Sequence, residues 1–188
     1  MNDAIGTARV FIALWSGASV RAALAAWRDG GTWPASAKPV RTGQLHVTLH
    51  FLGNVPRARL PELVQALDVC CSPFELGFGH AELWHGGIAV LAPDVVPAPL
   101  LALHGALGAA LERIGLAPKA RPGRPGRPYR PHVTLARHAG AALAPIAGPL
   151  IRWQVDGYAL MESTLDVGAR YTIVHAYAAN ALKGAVSG

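Results

Sequence analysis

The sequence predicts an α+β protein of two pseudo-symmetric lobes, with antiparallel sheets lining a central cleft and helices outside. Three observations carry this. Strand-like and helix-like segments run in the order β-α-β-α-β-β and then α-β-β-β, so the second half loosely echoes the first. The tetrapeptide HVTL stands once in each half, at His46–Leu49 and at His132–Leu135. Hydrophobic residues make up 52% of the 188 and charged residues 15%, which is ample material for a core and a composition unlike that of disordered chains. A single bilobal domain over residues 1–188 follows.

Each element has its own signal. ARVFIALW (8–15) is rich in β-branched and aromatic residues and predicts a buried strand. SGASVRAALAAWRD (16–29) has a capping-type start and apolar residues at helical spacing. GGTWPASAKPVRTGQ (30–44) is a loop by its Gly, Pro and Ser. LHVTLHFLGNV (45–55) is the second strand, ended by Gly-Asn. RARLPELVQALDVCC (57–71) predicts a helix with Pro61 near its start, where proline is tolerated. Short strand-like runs broken by Gly77, Gly79 and Gly86-Gly87 predict hairpins between Phe74 and Leu91. PAPLLALHGALGAALERIGL (97–116) is the clearest helix. An Arg/Pro/Gly loop leads into the strand 131–136, and IRWQVDGYALMES (151–163) and RYTIVHAYAA (170–179) predict two closing strands.

The net charge of +6 favours an anionic partner, although a solvated basic surface has the same balance. The two cysteines, Cys70 and Cys71, are neighbours, which rarely meet disulfide geometry, so a reducing, cytoplasmic setting is expected. No apolar run approaches the roughly 18 residues of a membrane span. VFIALW (10–15) is too short, and its flank too weakly basic, for a signal peptide.

In a strand, residues i and i+2 share a face. His46 and Thr48 therefore point one way while Val47 and Leu49 point into a core, and the same holds for His132 and Thr134 against Val133 and Leu135. One such strand means little, because a lone histidine on a strand is more often structural. Two in similar half-chains, if the lobes face each other, bring two imidazoles and two hydroxyls to one point. One neutral and one protonated imidazole supply base and acid together, and the hydroxyls donate to phosphate oxygens. A phosphodiester displacement needs those parts and requires no metal. His50 would share the face of His46, so HVTLH also has the spacing of a zinc pair, but no carboxylate is near and metal binding is not expected. The serine-hydrolase elbow is absent, and no Walker or dinucleotide loop stands in a fitting context.

With these flanks, the two motifs resemble the paired signatures of the 2H phosphoesterase superfamily, and most closely its RNA 2′,3′-cyclic phosphodiesterase branch, also called the 2′-5′ RNA ligase or LigT-like branch. RVFIALW matches the family's opening strand, HVTLHFLG carries its Phe51–Gly53 tail, PHVTLAR includes Pro131 and Arg137, and ESTLDVGARY (162–171) matches its closing segment. The resemblance covers nearly the whole chain. It implies hydrolysis of an RNA 2′,3′-cyclic phosphate to a 2′-phosphate, without cofactor or metal. In that scheme His46 is the proton donor to O3′ and His132 the acceptor that activates water. Thr48 and Thr134 hold phosphate oxygens and Arg137 assists; Arg130 and Phe51 complete the candidate substrate-binding set. The implied partner is RNA with a cyclic phosphate end, met by a monomer with no membrane association. Two alternatives share these residues: a relative acting on 2′-5′ linked oligonucleotides or small cyclic nucleotides, and a non-catalytic RNA-binding module.

Two sequence features remain awkward. Strict alternation puts Arg137 with Val133 and Leu135, away from His132, unless the strand ends or bulges there. Arg121, Arg124, Arg127 and Arg130 recur every third residue in a run biased towards a polyproline path, which predicts a basic guide for the RNA backbone at the cleft mouth.

Overall fold

Strand β1 (Thr7–Leu14) is buried on both faces and lies at the centre of one half of the fold, between β3 (Val47–Pro56) and β9 (Gly157–Ser163). The structure is a computed structural model that describes residues 6–117, 128–140, 148–164 and 170–179. Between β1 and β3 come helix α1 (Ala18–Asp29) and a two-residue strand β2 (Lys38–Pro39) inside the expected loop. Then follow α2 (Leu60–Ala66), β4 (Phe74–Phe78), β5 (His80–Trp84), β6 (Ile88–Ala92), α3 (Ala98–Arg113), β7 (Val133–Arg137), β8 (Ile151–Val155), β9 and β10 (Tyr171–Ala178). The fold is α+β with antiparallel sheets, as expected. The Arg121–Arg127 part of the basic run lies outside the described residues.

The main sheet runs β10-β9-β1-β3-β7-β6-β5, with β2 added on β7, and β4 and β8 form a separate two-stranded sheet. It consists of two half-sheets, β10-β9-β1-β3 and β7-β6-β5 with β2. Val47↔Val133 is the one ladder pair joining them among the described residues. The repeat suspected from HVTL is therefore real in the fold. The run β1-α1-β3 matches β6-α3-β7, and β4 and β8 meet each other.

The repeats interleave rather than forming one lobe per half-chain. β5, from the first half, pairs with β6 beside β7, while β9, from the second, pairs with β1. The helices cross too: α1 packs against β7 and β8, and α3 against β3.

Local chemistry explains several departures from the expected bounds. The segment 151–163 is two strands, because the chain breaks at Asp156 and its halves serve different sheets. α1 starts after Gly17 without a side-chain cap and is held by buried Leu24 and Trp27. Trp27 donates its Nε1–H to the Pro149 carbonyl at 3.0 Å. α2 stops at Ala66, well short of Cys71, after a 3₁₀ turn at Arg57–Arg59. Of the expected hairpins, β5–β6 forms, turning through Gly86 and Gly87 at φ of 83° and 72°, conformations that favour glycine. α3 buries Leu100, Leu103, Leu107 and Leu111, the helical spacing expected of an amphipathic face.

Candidate functional site

The two HVTL segments meet at the junction of the half-sheets. Each histidine immediately precedes the valine of the joining pair. One antiparallel step from Val47↔Val133 sets Thr48 against His132 and Thr134 against His46. All four side chains line one cavity of about 430 Å³.

The imidazoles are held by the same device. His46 Nδ1 lies 2.6 Å from the carbonyl of Gln44, and His132 Nδ1 lies 2.8 Å from the carbonyl of Arg130, each two residues upstream. A carbonyl only accepts, so each Nδ1 carries the proton and each Nε2 is left for chemistry. Thr48 Oγ1 is 3.0 Å from His46 Nε2 and donates to it when the ring is neutral.

The surroundings differ. His46 sits within an aromatic wall, with ring centroids of Phe11 at 5.0 Å, Tyr171 at 5.4 Å and Trp15 at 6.2 Å. His132 has Trp84 at 4.3 Å. Burial holds His46 below the usual imidazole range, and the charges of His132 and Arg137 add to this, while the bond to Gln44 opposes it. His132 is lowered too, first by burial, then by the charges of Arg130 and Arg137, against the bond to the Arg130 carbonyl.

Matching β-bulges complete the cavity. On β3, Ala13 pairs with Thr48 and Ile12 with His50, which leaves Leu49 unpaired. On β7, Val90 pairs with Thr134 and Ala89 with Ala136, which leaves Leu135 unpaired. An extra residue reverses the alternation beyond it. The bulge at Leu135 brings Arg137 to the His132 side, where it lines the cavity. The bulge at Leu49 does the same for Phe51, which is five residues from its histidine, as Arg137 is.

The same bulge turns His50 away. Its Nε2–H donates to the His104 carbonyl at 2.9 Å, and its ring stacks on His104 at 4.1 Å, against α3. His46 and His50 do not share a face, which corrects the alternation expected from sequence and removes the zinc-pair geometry.

Arg9, Lys38 and Arg137 line the cavity and form no ion pair among the described residues. Arg9 sits over the Phe51 ring at 4.8 Å, and Phe51 is 48% exposed. Arg130 lies elsewhere. Its carbonyl orients His132, but its guanidinium faces a neighbouring cavity and pairs with Glu82 at 3.0 Å.

The model of the 2′-5′ RNA ligase superfamily matches residues 18–166, most of this chain. The chain belongs to the 2′-5′ RNA ligase superfamily. Among its relatives in that superfamily, it is 30% identical over 159 residues to the RNA 2′,3′-cyclic phosphodiesterase of Escherichia coli (strain K12), covering 84% of this chain and 85% of that one. It is 31% identical over 179 residues to the protein of the same name from Thermus thermophilus, covering 90% and 89%. The structure of E. coli LigT complexed with 3′-AMP superposes with a TM-score of 0.80 at 28% identity, covering 92% of this chain and 98% of that one.

Sequence reasoning did not single out Arg9, Phe11, Lys38, Gln44, Ser163 and Tyr171 in the cavity of this superfamily member. Ser163 and Tyr171 had a signal as part of the closing segment, and Arg9 and Phe11 as part of the opening strand RVFIALW. Trp84, which packs on His132, had none, because it arrives on a hairpin from the other repeat.

Proposed function

We propose that this protein hydrolyses RNA 2′,3′-cyclic phosphate ends to 2′-phosphates by two-histidine acid/base catalysis. The observation that carries this is the placement of His46 and His132 on one cavity, each with Nδ1 bonded to a carbonyl. The relatives named RNA 2′,3′-cyclic phosphodiesterase and the likeness to LigT complexed with 3′-AMP support the substrate class.

In this scheme water attacks phosphorus opposite O3′. His132 Nε2 takes the proton of the water as the P–O bond forms. His46, protonated, gives its Nε2 proton to O3′ as the P–O3′ bond breaks, leaving a 3′-hydroxyl and a 2′-phosphate. Thr48, Thr134 and Arg137 stabilise the charge developing on the phosphoryl oxygens. Phe51, with Arg9 over its ring, offers an exposed platform for the terminal base. Arg130 acts through its carbonyl on His132. With a 5′-hydroxyl in place of water, the same proton transfers form a 2′-5′ phosphodiester. Every step is supplied by side chains, so the scheme needs no metal ion. The catalytic unit is residues 1–188 as one bilobal monomer in the cytoplasm, a setting that the free thiols of Cys70 and Cys71 suit.

The test is incubation with an RNA ending in a 2′,3′-cyclic phosphate in the presence of EDTA. A 2′-phosphate product at undiminished rate is expected. A 3′-phosphate product, or activity lost to chelation and restored by zinc, would overturn the scheme. His46→Ala and His132→Ala should each lower the rate by on the order of 10²–10⁴.

A further inference from the structure

A second cavity, of about 760 Å³, opens on the other side of His132. Among the described residues it shares only His132 and Thr48 with the first, and His46 does not line it. Its wall is built from the β5–β6 hairpin and the segment before His132. Trp84 packs on His132 and donates its Nε1–H to Glu82 Oε2 at 2.6 Å. Arg130 donates to the same oxygen at 3.0 Å and lies 4.4 Å over the Trp84 ring. Glu82 Oε1 has no partner among the described residues, and Leu83 is 43% exposed at the cavity edge.

We propose that this second cavity is the subsite for the nucleoside that carries the 5′-oxygen, as incoming group in 2′-5′ bond formation and as leaving group in 2′-5′ bond cleavage. The proposal rests on the two-histidine scheme above. There His132 stands beside the atom entering or leaving opposite O3′. Water has no substituent and needs no room behind it, whereas a 5′-oxygen brings a nucleoside, and the space behind His132 is this cavity.

The lining fits that nucleoside. Trp84, with Arg130 over it, and Leu83 offer planar and apolar surface to a base, and Glu82 Oε1 accepts a base N–H or a ribose hydroxyl. The only Lys or Arg among the described lining residues, Arg130, is already matched by Glu82, so the cavity suits an uncharged nucleoside better than a phosphate. A phosphate-bearing strand upstream of the cyclic end is better served by Arg9, Lys38 and Arg137 at the first cavity. In cleavage O3′ attacks phosphorus, the P–O5′ bond breaks, and O5′ leaves with the proton from His132 while His46 takes the O3′ proton. The products are a 2′,3′-cyclic phosphate and a nucleoside, and no further reactant is needed.

The experiment compares cleavage of 2′-5′ linked diadenosine with hydrolysis of adenosine 2′,3′-cyclic phosphate, in the wild type and in Leu83→Trp, which enlarges a residue that lines this cavity and not the first. Losing one base contact should lower diadenosine cleavage about tenfold or more, since stacking of a base is worth roughly 1–3 kcal/mol. Cyclic-phosphate hydrolysis should stay unchanged. Glu82→Gln, which keeps the shape, gives a second measure in the same direction. Unchanged diadenosine cleavage in folded Leu83→Trp would overturn the proposal, as would equal loss on both substrates. A wild type that opens the cyclic phosphate but never cleaves diadenosine would also overturn it and leave the hydrolytic scheme standing. Slowing of a cyclic-ended oligonucleotide alone would assign the cavity to the upstream strand. A wild type inactive on the cyclic phosphate would remove the underlying scheme itself.

Discussion

Val47 and Val133 face each other as the single ladder pair between the two half-sheets among the described residues, and each is fully buried. The histidines that precede them are held relative to one another through this pair. Val133→Ala should therefore act twice. Loss of buried methyl groups should lower unfolding free energy by about 2 kcal/mol, measured by denaturant titration. Loosening the junction should lower kcat more than it raises KM, since it disturbs the distance between the imidazoles rather than one contact to substrate. A stability loss with kcat untouched would mean that the junction does not set their geometry.

Phe51 and Arg137 reach the cavity by equivalent bulges but should fail differently when removed. Phe51→Ala removes a stacking surface, so KM for an RNA end should rise about tenfold with little change in kcat. Phe51→Tyr should restore it. Arg137→Ala removes a charged hydrogen-bond donor, worth about 1.5–3 kcal/mol, and should lower kcat/KM roughly 10–100-fold. Steady-state kinetics on one substrate separates the two. Identical losses in kcat would contradict a base contact at Phe51.

These bulges also mark how far sequence patterning carries. The strand residues His46, Thr48, His132 and Thr134 were legible, because period-2 alternation holds over three residues. Beyond Leu49 and Leu135 the alternation reverses. A bulge has no signal in leucine, so His50 was expected on the face of His46, and Arg137 was expected away from His132 unless a bulge intervened. The strand–helix–strand repeat was legible from HVTL and from the helical spacing of 97–116. The exchange of β5 and β9 between repeats was not, since strand partners are chosen by packing of distant segments. Trp84 was hidden for the same reason.

Behind β3, His104 is sandwiched between His50 at 4.1 Å and Tyr129 at 4.0 Å, while the Tyr129 hydroxyl donates to the Thr48 carbonyl at 3.1 Å. Burial, then the charge of His50, lowers the His104 pKa to about 4. Between that value and the ordinary 6.5, the unfolded chain binds a proton that the native state does not. The contribution of neutral His104 is thus fully present above about pH 6.5 and is lost as pH falls towards 4. Melting temperatures across this window should fall for the wild type and fall less for His104→Phe, which keeps the stack without the titration. Parallel curves would show that His104 does not carry the acid sensitivity.

The catalytic pH profile follows from the two depressed imidazoles. As base, His132 must be neutral, so activity is lost as pH falls through its lowered pKa. As acid, His46 must be protonated, so activity is lost as pH rises through its own lowered pKa. Both limbs of kcat/KM should then lie on the acid side of the ordinary 6.5, with a rate falling about tenfold per pH unit above neutrality. The positive charge of Arg137 lowers both groups, so Arg137→Ala should move both limbs to higher pH even as it lowers the rate. In kcat, the bound anionic phosphate favours the protonated imidazoles, so the limbs should lie higher than in kcat/KM. The measurement is kcat/KM and kcat across pH for the wild type and Arg137→Ala. A variant whose limbs stay in place, or move to lower pH, would show that Arg137 does not share an electrostatic field with the histidines.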